Sequence, residues 1–265
     1  MTPIIPKINY LNNKDMLLEI HKSKTSYCSF VDPEYHQYDI ILNDINEINE
    51  TTIYEAKVNR AKRLANLKKD VEIPIESISN MDLIFRIMTY DHIPLCPGRK
   101  KNPKTTADNH DKVNFPPFQH WKFNDVDQLI CVGKSHWRGD IDTGHYDKNK
   151  GSMTNNLAKM IIKLCERYAT RGNVRSYTYS EEMKGQAILQ LAQIGLQFDE
   201  SKSDNPFSYF TSVVSNSFIR IINIEKRNQN IRDDILEMNG MNPSYTRTNN
   251  SEYDASLRRY NEDYE

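Results

Sequence analysis

No stretch of this chain approaches the roughly 20 consecutive apolar residues that a membrane-spanning helix requires, so none is expected. The opening residues, Met1-Thr2-Pro3-Ile4-Ile5-Pro6, have neither a basic start nor a long apolar run, and the sequence predicts no signal peptide. Cysteine is scarce: Cys28, Cys96, Cys131 and Cys165 lie at least 34 positions apart and form no CxxC pair. They read as free thiols of a reducing compartment rather than a disulfide framework. The P-loop, GxGxxG and GxSxG signatures are missing, and with them the commonest marks of nucleotide and acyl chemistry. Neither sign of charge is in excess, because 35 Lys and Arg meet 36 Asp and Glu for a formal net charge of −1. That balance excludes a globally basic nucleic-acid coat and leaves room only for a local basic face. What remains is a wet chain of 265 residues, 38% hydrophobic and 27% charged, with a modest core and length for one or two domains.

The pattern along the chain divides it into five parts. Residues 1–25 are expected to form an amino-terminal arm, kept extended by Pro3 and Pro6, with a short helix capped near Asn12-Asn13. Residues 26–79 are a basic helical segment. A loop over 26–37 precedes a run from Asp39 to Lys69 in which Ile41, Ile45, Ile48, Ala56, Leu64 and Leu67 recur at helical steps. Lys57, Arg60, Lys62, Arg63, Lys68 and Lys69 fill the other face, either as a solvated surface or as a nucleic-acid contact. Residues 71–79 read as extended, and Met81–Met88 as a compact segment that a helix would suit. Residues 80–152 are loop-rich: five prolines and scattered glycines interrupt short strands such as Leu129–Val132, with Trp121 and Trp137 as packing anchors. Residues 153–238 carry three helices. The first is capped at Asn155, the second runs from Ser180 to Phe198, and the third runs from Phe207 to about Arg232 behind Asp204-Asn205-Pro206. Residues 239–265 read as a flexible polar tail.

His110, His120, Cys131, His136 and His145 invite a zinc reading, yet their spacings of 10, 11, 5 and 9 match no familiar ligand pair. No metal or other cofactor is expected. Two surfaces of the carboxy-terminal half are more informative. On the second helix Gln186, Gln190, Gln193 and Gln197 share a side, while Ile188, Leu191, Gly195 and Phe198 share another. A glutamine face is uncharged and rich in hydrogen-bonding groups, which suits either a partner's polar surface or water. The third helix opens with Phe207, Tyr209 and Phe210 and continues with Arg220, Lys226, Arg227 and Arg232. Rings followed by cations fit a single-stranded nucleic-acid platform, and they equally fit a core with solvated charges.

Several ordered motifs then carry a resemblance. Ile8–Asp15, Tyr179-Ser180-Glu181-Glu182-Met183, Asn205–Thr211 and Ile224-Glu225-Lys226-Arg227 resemble the late-transcription sigma factors of T4-type bacteriophages. Asp82–Thr89, Arg99–Pro103, Asn114–Phe118 and Ser135-His136-Trp137 are similar to the longer version carried by such phages of marine bacteria, cyanobacteria among them. The resemblance implies a mostly α fold, with a sigma region-2-like helical domain in the carboxy-terminal half and a loop-rich, minor-β middle segment. It implies a non-enzymatic partner of the host RNA polymerase core in the cytoplasm of the infected bacterium. Glu182, Gln186, Gln190 and Gln193 would dock on the beta-prime clamp coiled coil. The following helix would recognise and melt the AT-rich −10 element of late promoters through its non-template strand, with Phe207, Tyr209, Phe210, Thr211, Arg220, Lys226, Arg227 and Arg232 toward DNA and Asn228 and Gln229 near the groove. The tryptophan pair with which housekeeping sigma factors melt DNA is replaced by Ser212 and Val213, which leaves Tyr209 and Phe210 as stacking candidates. No helix-turn-helix follows residue 240, so recognition would be confined to the −10 element. A phage coactivator and the DNA sliding clamp are further partners in this family, and the tail keeps Leu257, Tyr260 and Tyr264 of the clamp-binding pattern. Two other readings stand beside this one: an adaptor that binds polymerase without reading DNA, and a metal-dependent nuclease seated in residues 91–150.

Overall fold

The computed structural model describes residues 11–67, 73–96 and 106–251. Expectations placed on Met1–Tyr10, Lys68, Lys69, Arg99–Pro103 and the Leu257, Tyr260 and Tyr264 tail lie outside the described residues. In chain order the elements are α1 (Asn13–Thr25), β1 (Cys28–Phe30), β2 (Ile40–Leu42), α2 (Glu50–Leu67), β3 (Phe85–Met88), α3 (Thr106–Asn109), β4 (Phe118–Phe123), β5 (Leu129–Ser135), β6 (Trp137–Arg138), β7 (His145–Tyr146), α4 (Asn155–Ala169), α5 (Ser180–Ile194) and α6 (Pro206–Met238). Single turns of 3-10 helix join several of them.

The fold is mostly α, but its β part is larger than the sequence suggests. Five strands form one mixed sheet in the order β1-β5-β4-β3-β2, with β2 and β3 parallel and the other pairs antiparallel. The segment expected to be loop supplies β1, and Met81–Met88 supplies a 3-10 turn and β3 rather than a helix. Residues 83–87 are all buried, but Leu83, Phe85 and Ile87 join one core while Arg86 and Met88 turn to the other side, the alternation of a strand covered on both faces. The 79/80 boundary therefore runs through a β2-α2-β3 crossover, and α2 begins at Glu50 because Ile41 lies in β2 and Ile45 in a 3-10 turn. Gly133 in β5 has no substitute: the ring of Phe30 occupies the space a Cβ would need.

Each sheet face has its own core. Phe85, Ile87 and Leu42 pack with Ala56 and Ala61 of α2 and with Ile78 and Leu83. The opposite face carries Phe118 and Met88 into the main core, with Met16 and Ile20 of α1, Leu157, Met160, Ile161 and Leu164 of α4, Met183, Ala187 and Leu191 of α5, and Phe210, Val214 and Phe218 of α6. The predicted arm is thus a core helix from residue 13 onward, capped by Asn12, whose side chain accepts from the Lys14 amide at 3.2 Å. Thr154, one residue before the expected cap, closes α4 by accepting from the Leu157 amide at 3.2 Å. The helix α5 ends at Ile194 and tightens into a 3-10 turn over Gly195–Gln197.

Between the sheet and the helices lies a buried ionic junction. Arg86 of β3 is 2% exposed. Its guanidinium carbon sits 3.8 Å from the centroid of the Tyr38 ring and 3.9 Å from that of Phe118. Its Nε donates to His120 Nε2 at 3.0 Å, and a terminal nitrogen donates to Glu200 at 2.7 Å. Glu200, in the α5–α6 connection, also pairs with buried Lys24 of α1 at 3.4 Å, and Lys24 donates to the Phe198 carbonyl at 2.7 Å. Burial alone would raise the Glu200 carboxyl, but Lys24 and Arg86 outweigh it and hold the group below its ordinary range. One carboxylate thereby answers two cations from two different layers. Removing it by Glu200→Gln strands both, and the expected cost is about 3–5 kcal/mol in urea unfolding. Replacing all three (Lys24→Met, Arg86→Met, Glu200→Leu) is expected to recover most of that loss.

Three further imidazoles are held neutral by burial: His21 is lowered to about 3, His92 to about 4 and His136 to about 3, against an ordinary value of 6.5. The unfolded chain therefore binds more protons than the native one once pH falls below 6.5. Stability is complete above that value and declines as pH falls through 6.5, down to about 4 for His92 and about 3 for His21 and His136, by up to about 1.4 kcal/mol per pH unit for each group. Urea midpoints measured across that window are expected to fall with acidification, and His136→Phe is expected to reduce the slope.

Candidate functional site

The two surfaces singled out in the sequence belong to one antiparallel helix pair. The start of α6 meets the end of α5, where the Tyr209 hydroxyl donates to the Ile194 carbonyl at 3.0 Å. That carbonyl is one of the acceptors a helix leaves unsatisfied at its carboxy end. The pair is held by Met183, Ala187 and Leu191 of α5, one residue per turn, against the Phe210, Val214 and Phe218 side of α6.

On α5, Glu182 and Gln193 are exposed, and Gln186 and Gln190 are half-buried at the edge of the core stripe. The four therefore line one flank of the helix. Sequence reading missed Leu189, which lies among them, 52% exposed. Its position i+3 from Gln186 and i−4 from Gln193 was the available signal. The flank is thus an amide and carboxylate surface with one apolar contact at its centre.

The helix α6 begins with Pro206 at its first position and Asn205 as cap, the side chain accepting from the Ser208 amide at 3.0 Å. Its aromatic opening divides sharply. Phe207 is exposed, and its amide donates to Asn13 at 3.1 Å. Tyr209 is half-buried, its ring 5.6 Å from Phe198 and 5.8 Å from Phe210. Phe210 is fully buried, and the Thr211 hydroxyl is buried without a hydrogen-bond partner. Phe210 is therefore a core residue, not a surface for bases, and Thr211 is half-buried at its edge: the α6 positions that face α5 are set by the three- and four-residue spacing of Phe210, Val214, Phe218 and Ile221.

The basic series is also not one face. Arg220 and Arg227, seven residues apart, share an exposed stripe, and Arg232 is exposed about a third of a turn or more away from it. Lys226 is turned about 100° from Arg227 in the other sense and lines a cleft with Gln229, Asp233 and Arg247. That cleft exists because the tail is not free from residue 239. Ser244 donates its amide and hydroxyl to the Asp233 carboxylate at 2.9 and 2.7 Å. A helical stretch over 245–251 then returns along α6, where Arg247 pairs with Asp234 at 2.6 Å and Glu237 at 3.0 Å. Gln229 donates to Ser244 at 3.0 Å, which removes it from groove contact, whereas Asn228 is exposed.

The histidines and cysteine weighed for metal have other neighbours. His120 accepts from Arg86, His136 packs 4.1 Å from the Phe115 ring and Cys131 faces the Gly133 carbonyl. Among the described residues no group of three or more His, Cys, Asp or Glu converges on a metal position.

No family model and no curated protein matches this sequence, and no solved structure matches its fold.

The split within the aromatic opening is directly measurable. Phe210→Ala is expected to cost about 3–5 kcal/mol in urea unfolding. Phe207→Ala is expected to cost under about 1 kcal/mol. Phe207 is therefore the ring whose interaction role can be tested in a folded variant.

Proposed function

We propose that this chain is a transcription initiation factor of the sigma type, which docks on the host's bacterial RNA polymerase core and directs it to phage late promoters. The docking surface is the flank of α5 formed by Glu182, Gln186, Gln190 and Gln193 around Leu189, and its counterpart is the beta-prime clamp coiled coil. The DNA-facing surface is drawn from exposed parts of α6: Phe207 and the accessible edge of Tyr209 at its start for unstacked bases of the −10 element, the Arg220 and Arg227 stripe for phosphates, and Arg232 for a phosphate on a separate face. The bond-making chemistry belongs to the polymerase, and the site of action is the cytoplasm of the infected cell. The motif resemblance suggests this reading, and one structural observation supports it most: a single antiparallel helix pair keeps the amide flank and the arginine stripe in the open while the intervening face is core.

A second reading, an adaptor that binds polymerase without reading DNA, is favoured by the burial of Phe210. The two separate in run-off transcription from a phage late-promoter template with host core polymerase and this protein. Promoter-dependent transcripts are expected. Leu189→Asp with Gln193→Arg is expected to abolish co-elution with the polymerase, and with it transcription. Arg220→Ala and Arg227→Ala are expected to leave co-elution intact, to weaken promoter binding and to lower its logarithmic salt slope by about one each. Transcription unchanged by Phe207→Ala together with the two arginine variants would favour the adaptor, and nicking of the template without polymerase would favour the nuclease.

A further inference from the structure

The helix α6 is 33 residues long, about 50 Å, and α5 accompanies only its first half. Beyond residue 225 it runs past the body, and there it keeps an apolar stripe: Ile224 is 43% exposed, Ile231 48%, Ile235 54% and Met238 87%. The helical stretch 245–251 does not cover this stripe, because its contacts (Asp233, Asp234, Glu237 and the Lys226–Gln229 cleft) lie on the far side of the helix. From Ser217 onward the positions 217, 221, 224, 228, 231, 235 and 238 alternate steps of four and three, the spacing of a coiled-coil seam. The buried members, Ser217 and Ile221, face the chain's own core, and the remainder face outward.

We propose that this projecting seam is a self-association surface on which a second copy of the chain packs its own α6 in antiparallel register. Charge decides both occupant and direction. With the twofold axis between Gln229 and Asn230, the seam layers are Ile224 on Ile235 and Asn228 on Ile231 of the other copy, while Met238 ends beside Ile221, which its own core already buries. In that register the flanking positions place Arg227 beside Asp234 of the second copy and Glu225 beside Arg232, so the twofold gives four opposite-sign pairs and no like-sign pair. A parallel register would set Arg227 against Arg232 twice. Asp234 is available although it already pairs with Arg247, since its side chain is 58% exposed. The overlap also ends where it must. Gly240, at a φ of 69° that favours glycine, breaks α6 just past Met238, so each helix stops abreast of Ile221, where the other copy's body begins. The overlap of 18 residues per helix is small against the roughly 1,200 Å² of a stable interface, so the dimer is weak and reversible.

Sedimentation equilibrium of the full chain, without DNA or polymerase, tests this independently of the proposed function. A concentration-dependent monomer–dimer equilibrium is expected. Ile224→Asp with Ile235→Asp is expected to leave only monomer while the circular dichroism spectrum and urea midpoint are retained. Arg232→Glu is expected to weaken dimerisation about tenfold, and adding Glu225→Arg is expected to restore it. In a Cys96→Ser background, Ile224→Cys with Ile235→Cys is expected to give a disulfide-linked dimer on mild oxidation. Neither single cysteine is expected to do so, because residues 224 and 235 lie about 16 Å apart along one helix. A chain that stays monomeric at every concentration, a charge swap that fails to restore association, or a cross-link through either cysteine alone would overturn the proposal.

Discussion

The buried contact between Arg86 and Glu200 is the constraint on which this architecture rests. Beside it the α2-backed sheet and the helical body meet through apolar packing of Cys28, Phe30, Met88, Phe115 and Phe118 against the core around Met16. The guanidinium is enclosed by two aromatic faces and a histidine, so water cannot solvate it, and a carboxylate from the distant α5–α6 connection must reach it. The same carboxylate receives Lys24, and this fixes α1 against the turn that leads into α6. The geometry of the candidate interface is therefore set partly from the sheet side: the connection that orients α6 is the one that neutralises the sheet's buried cation.

Much of the helical half was legible in the sequence because its signals are local. Asn12, Asn205 and Pro206 sit where capping chemistry needs them, and Leu157, Met160, Ile161 and Leu164 show the period of an amphipathic helix. Of the sheet, Leu129–Val132 was legible as a strand and lies in β5, but the rest was not, for an equally physical reason. Its strands are short, β1 is three residues long, and it pairs with β5 more than a hundred positions away, so no hairpin turn announces it. Arg86 was the missed clue. A charged residue between Ile84-Phe85 and Ile87-Met88 alternates inward only if its chain is a strand with buried partners on both faces.

The candidate site divides along the same line. Glu182, Gln186, Gln190 and Gln193 lie together because helical spacing alone assembles them, and Arg220 with Arg227 likewise. Periodicity does not say which face a neighbouring helix will cover. Phe210 looked accessible beside Tyr209, yet α5 claims that side of α6. Gln229 and Lys226 could not be placed at all without the return of residues 244–251, which depends on one side chain, Asp233, accepting from Ser244.

The ionic junction also sets an order of events during synthesis. Arg86 leaves the ribosome 114 residues before Glu200, and Lys24 earlier still. Until the α5–α6 connection has been translated, closing the sheet over that guanidinium would bury a cation with no counter-charge, at a cost comparable to the stability of a whole domain. That penalty works against closing the layers before the first three quarters of the chain have been made, and it is lifted when the carboxylate arrives. A chain cut short before residue 200 would leave that step undone and become a client for chaperones and proteases.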